Sequence, residues 1–169
     1  MRIRLLATLF GLTALGLNVS SAAGATAHGG QYQNIEVMRF DTLNGIDFPP
    51  DYLATMMEEL VHELSGTNRF QQVLREGETP AEANTPTVQL VGTVTEFAKG
   101  NRAVRYMVGF GAGKTKVKAH VKFIDSATGR IVLEKDVDGK VWIGFIGGES
   151  IGATRGLAKE VAKVAKRSF

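Results

Sequence analysis

Cysteine is absent from the 169 residues of the chain. An exported protein without it forms no disulfide and carries no lipid-modified cysteine at a new N-terminus. Histidine is scarce: His28, His62 and His120 stand far apart, with no second ligand at metal spacing, whereas zinc needs several such ligands together. No metal and no cofactor is expected. A long hydrophobic run is missing as well. The most apolar stretch, residues 5–17, falls short of the roughly 20 residues that cross a bilayer. It follows Arg2 and Arg4 and precedes Ala23-Gly24-Ala25 and Ala25-Thr26-Ala27, small-residue cleavage sites, so residues 1–25 read as a cleaved secretory signal peptide. The mature chain is expected in the periplasm, with no transmembrane segment and no lipid anchor.

A strong excess of charge is also lacking. Of the 20 basic and 17 acidic residues, the signal removes two arginines and no acid, leaving 18 against 17. Nothing in that balance calls for nucleic acid or an anionic membrane as a partner.

What remains reads as a flexible lead-in over residues 26–33 and one domain over 34–169, the size of a single core. Residues 35–40, IEVMRF, alternate as a strand, and Pro49-Pro50-Asp51 then opens a helix. Leu53, Met56, Met57, Leu60, Val61 and Leu64 form one apolar helical stripe, with Glu58, Glu59, His62 and Glu63 opposite. Residues 70–74 predict a short strand, 75–87 a polar loop with two prolines, and 88–97, 103–108, 116–124, 131–137 and 141–146 a run of strands. A C-terminal helix puts Leu157, Val161, Val164 and Ala165 on one face and Lys159, Lys163, Lys166 and Arg167 on the other. The predicted class is α+β: a mixed, mostly antiparallel sheet of about five to six strands, with both amphipathic helices on one face, in the order β-α-β-β-β-β-β-β-α.

Four motifs suggest chemistry. Residues 108–115, VGFGAGKT, end like a phosphate-binding loop, but that loop needs glycine at 108, where Val108 stands, and must open a helix where KVKAHVKF alternates as a strand. A dinucleotide fingerprint fails because its third glycine position holds Lys114. Residues 148–152, GESIG, match a nucleophile elbow, yet residues 151–169 contain neither Asp nor His to complete a triad; Ser150 reads instead as a helix N-cap. Lys114, Lys116, Lys118, His120 and Lys122 form a basic ladder on one strand face. If Gly129 takes the left-handed position of the DSATGR turn, Lys122, His120 and Lys118 face Glu134, Asp136 and Asp138, and the ladder neutralises itself.

Residues 100–137, GNRAVRYMVGFGAGKTKVKAHVKFIDSATGRIVLEKDV, resemble the signature of a bacterial envelope family known as domain of unknown function 4410 (DUF4410). The helix at 51–65, Phe70 and the glycines at 147 and 148 follow in the same order. The resemblance implies an exported α+β protein and transfers no activity and no catalytic residue. Its members look to be lipoproteins in many cases, which a chain without cysteine does not match.

These readings lead to a non-enzymatic binding or assembly module whose contact surface is built from two glycine-rich segments, 109–113 and 144–152. Gly109, Phe110, Gly111, Gly113, Phe145, Gly147 and Gly148 would form the surface, Phe110, Phe145 and Ile146 being its apolar anchors and Arg105 and Lys114 its polar ones. An envelope protein or a second copy would be the partner. Two alternatives stand beside it: a small envelope enzyme using His120 and Asp136 as an acid–base pair, and a self-assembling subunit that pairs through its glycine-rich edges.

Overall fold

The computed structural model of the chain describes residues 31–98, 115–140 and 149–169. Within them the fold is α+β, two helices on one face of a six-stranded mixed sheet. In chain order the elements are β1 (Asn34–Val37), β2 (Asp41–Thr42), α1 (Pro50–Gly66), β3 (Gln72–Arg75), β4 (Thr87–Ala98), β5 (Lys116–Asp125), β6 (Ile131–Lys140) and α2 (Glu149–Ser168). The strands expected at 103–108 and 141–146 lie outside the described residues.

The sheet runs β3-β1-β4-β5-β6, with β2 against β4. The pairs β1–β3, β1–β4 and β2–β4 are parallel and short; β4–β5 and β5–β6 are antiparallel and long, so antiparallel pairing carries most of the ladder. Period-2 alternation turns Val88, Leu90 and Val94 of β4 and Val117, Ala119, Val121 and Phe123 of β5 to the helices. Lys116, Lys118, His120 and Lys122 take the opposite face.

Helix α1 begins where the sequence places it. Pro49 is extended, Pro50 occupies the first turn, where a missing N–H costs nothing, and Asp51 faces the positive helix end. It ends when Asn68 turns left-handed, φ 52°, the Thr67 N–H donating to Leu64 O and the Asn68 N–H to Ser65 O. Met56, Leu60 and Leu64 are completely buried, each such side chain contributing about 1.5–3 kcal/mol. Helix α2 buries Ala153, Leu157, Ala158, Val161 and Ala165. It starts at Glu149, so Ser150 lies inside the first turn rather than capping it from outside. The two helices run parallel, joined by Arg155 to Glu59 and Lys159 to Glu63.

Two glycines set the distance between layers. A Cβ on Gly92 would run into the ring of Phe40, and one on Gly139 would meet the Ala153 carbonyl and Leu157, so α2 rests directly on β6.

The β5–β6 turn forms as its sequence predicts. Gly129 has φ 69°, its N–H donates to Asp125 O at 2.8 Å, and Lys122, His120 and Lys118 stand opposite Glu134, Asp136 and Asp138. Asp125 Oδ1 accepts from the Thr128 N–H and hydroxyl, each at 2.8 Å, and its Oδ2 accepts from the Tyr32 hydroxyl at 2.8 Å. Tyr32 is thereby buried, two residues before the domain start read from the sequence, and stacks edge-on against Phe169 at 5.6 Å.

Candidate functional site

The residues expected to make the contact surface, Arg105, Gly109, Phe110, Gly111, Gly113, Lys114, Phe145, Gly147 and Gly148, lie outside the described residues. What the structure does give is their attachment points. Ala98, the last residue before segment 99–114, pairs with Lys116 just after it, and Lys116 pairs with Lys140, the last residue before segment 141–148. One row of the sheet thus carries both flanks of the first segment and the leading flank of the second.

Both helices start at this end of the molecule. Phe48, Tyr52 and Phe97 form a triad of edge-on rings with centroids 5.0, 5.9 and 6.3 Å apart at the start of α1, with Leu43 and Ile46 beside the same end of β4. Leu43 is 51% exposed. Thr115, the last residue of the GKT triplet, is buried and leads straight into β5, so the phosphate-loop context, a helix, is absent here.

The outer face of the sheet holds the charge ladder. Lys116 and Lys118 both reach Glu96 on β4, at 3.1 and 2.8 Å. His120 has Asp136 Oδ1 at 2.7 Å from Nδ1 and Glu134 Oε1 at 2.7 Å from Nε2. The hydrogen bond to Asp136, followed by that to Glu134, raises the His120 pKa above its ordinary value. An imidazolium clamped at both nitrogens has neither one left to take a proton from a substrate. The expected pair His120 and Asp136 is brought together, in a geometry that suits a cross-strand brace and not a general base. The carboxylates sit on opposite ring edges, and among the described residues no three His, Asp or Glu side chains are placed to hold a metal ion. Glu96 as the partner of Lys116 and Lys118 escaped the sequence reading, and Glu134 was read only as the partner of Lys122; it sits diagonal to His120, two residues from its direct partner, a signal within reach of pairing rules.

At the far end, Tyr32 is held neutral, its hydroxyl pushed up to about 12 by burial and by Asp125, while Asp125 lies below the usual carboxylate range because Tyr32 and Thr128 donate to it. Arg69 donates to the carbonyl oxygens of Tyr32 and Phe169. These contacts fasten chain segments and present no concave reactive centre.

Among the described residues no helix is long and apolar enough to cross a membrane. The family model described as a domain of unknown function, DUF4410, matches residues 46–145. A phosphate acyltransferase of Methylococcus capsulatus is 33% identical over 88 residues, 52% of this chain and 24% of that enzyme, so the chain spans about a quarter of the length of this curated relative. Among solved structures, the PelC dodecamer from Paraburkholderia phytofirmans is similar with a TM-score of 0.55 and 19% identity, over 86% of this chain and 92% of that one. Protein XCC0632 from Xanthomonas campestris is similar with a TM-score of 0.51 and 11% identity, over 85% and 88%. At these identities the likeness is one of fold.

Proposed function

Because the chain belongs to the DUF4410 family, we propose that it is an exported binding or assembly module of the bacterial envelope, working by contact and not by catalysis. Residues 1–25 direct export and are removed. The contact surface is the glycine-rich end of the sheet: Gly109, Phe110, Gly111 and Gly113 with Phe145, Gly147 and Gly148, flanked by Arg105 and Lys114. The observation that carries this reading is the shared row Ala98, Lys116 and Lys140, which brings flanking residues of both glycine-rich segments into neighbouring strands. Half-buried Tyr52 and Phe97 and exposed Leu43 add apolar surface at the same end.

Alanine at Phe110 and at Phe145 is expected to weaken capture of the partner from the envelope at least about tenfold, the loss of one aromatic anchor, with melting temperature nearly unchanged. Unfolding of both variants would make these residues core and move the surface elsewhere.

A second reading, self-association, is favoured by a specific finding: the PelC structure, similar over most of both chains, is a dodecamer. In this reading the partner is another copy of the chain. The enzymatic alternative is weakened by His120, both of whose ring nitrogens are occupied by carboxylates, and the phosphate acyltransferase match covers too little of that enzyme to bring its activity here.

A further inference from the structure

The two edges of the described sheet differ in the charge they leave unpaired. Beside β6, at one edge, a shallow open groove of about 1220 Å³ runs along α2. Its floor includes half-buried Leu133 and Val164 and the bare backbone of Gly156; Lys135, Lys166 and Arg167 rise from it. Asp136 and Asp138 line it too, and its other cations Arg155, Lys159 and Lys163 are paired with Glu59, Glu63 and Glu160, but among the described residues Lys135, Lys166 and Arg167 have no ion-pair partner, so the lining keeps a positive excess. Lys166 and Arg167 in the last turn of α2 suit the negative helix end. Lys135 lies on a strand, where that explanation does not apply.

At the opposite edge, next to β3, the loop of residues 76–86 presents Glu76, Glu78 and Glu82, all exposed. It is held in place without a core of its own: the Gly77 N–H donates to Glu36 Oε1 at 3.1 Å, and the Ala81 N–H to Gln72 Oε1 at 3.1 Å. Apart from Pro80 and Pro86, its only apolar side chains are alanines, so it is a narrow, acidic ridge.

We infer that the groove between β6 and α2 receives the acidic 76–86 loop of a second copy of this chain. The contact joins opposite edges of like molecules, so it is head-to-tail; repeated, it generates a closed ring or an open filament according to the rotation between neighbours. Charge complementarity selects the orientation: cation-rich groove against acidic loop attracts, while groove against groove and loop against loop repel. The inference rests on the self-association reading and names the surfaces that reading would use. The groove reaches Gly152 of segment 144–152 but includes none of the other residues of the proposed glycine-rich surface among its lining.

The test is sedimentation of the full-length chain, expressed with its own N-terminus and purified from the envelope, over a wide concentration range. The wild-type chain is expected to assemble, with a midpoint that shifts to higher concentration as salt rises toward about 1 M, where the screening length falls to about 3 Å. A groove variant, Lys135→Glu with Lys166→Glu and Arg167→Glu, and a loop variant, Glu78→Lys with Glu82→Lys, should each assemble at least about tenfold more weakly. Mixed in equal amounts, the two should assemble together again, because every groove then meets a loop of opposite charge. This rescue keeps the test meaningful even where one variant alone loses stability. Wild-type assembly unchanged by both sets of reversals, or no recovery in the mixture, overturns the inferred interface while leaving self-association standing. A wild-type chain that stays a protomer at every concentration removes the interface and the self-association reading together.

Discussion

His120 is the residue at which stability and protonation meet. Its raised pKa comes first from the hydrogen bond to Asp136 and then from that to Glu134. A group whose pKa is higher folded than unfolded stabilises fully below its unfolded value, near 6.5, and loses that contribution as pH rises through the folded value. The melting temperature of the wild-type chain should therefore exceed that of His120→Asn by more at about pH 6 than at about pH 9. An equal gap at both would mean that the imidazole is neutral between its carboxylates. Tyr32 illustrates what local pattern leaves out. It stands alone in a polar stretch, and only the fold brings Asp125 and Phe169 to it. The three cross-strand pairs of Lys118, His120 and Lys122, by contrast, were legible because one left-handed glycine sets their register.

Among elements, the first strand shows where alternation alone misleads. Residues 35–40 read as one strand, but Ile35 and Val37 face the helices with odd parity, and Phe40, at an even position, is buried too. The chain has to leave the ladder between them; it does so after Val37 and pairs again at Asp41–Thr42. Gly92 provides the space that Phe40 fills. Gly92→Ala should cost about 1–3 kcal/mol in urea unfolding, with part recovered by adding Phe40→Leu. A cost below about 0.5 kcal/mol would show that Phe40 yields without strain. Helix α1 and the long strands β4 and β5 were legible because each buries one continuous face, and β6 because the turn at Gly129 sets it against β5. The acidic and basic faces of the helices were also visible, but the pairing of Glu59 with Arg155 needs two elements packed in parallel and has no local signature.

For the molecule as a whole, the sheet sorts its roles by position. The inner face and the Tyr32 end hold the fold together, the outer face neutralises its own charge, and one row gathers the anchors of two glycine-rich segments. Those segments stood out in the sequence by composition. The shared row of their flanks did not, since Ala98 and Lys140 lie far apart along the chain and are brought to either side of Lys116 only by the β4–β5–β6 register.

The most direct measurement is photo-cross-linking in the living envelope, with a photoreactive residue at position 110, at 145, or at Ile131, an exposed apolar position at the opposite end of the sheet. Positions 110 and 145 should both yield the same defined adduct, to one envelope protein or to a second copy, and Ile131 should yield none. No adduct from 110 and 145, or the same adducts from all three positions, would contradict a contact surface at the glycine-rich end.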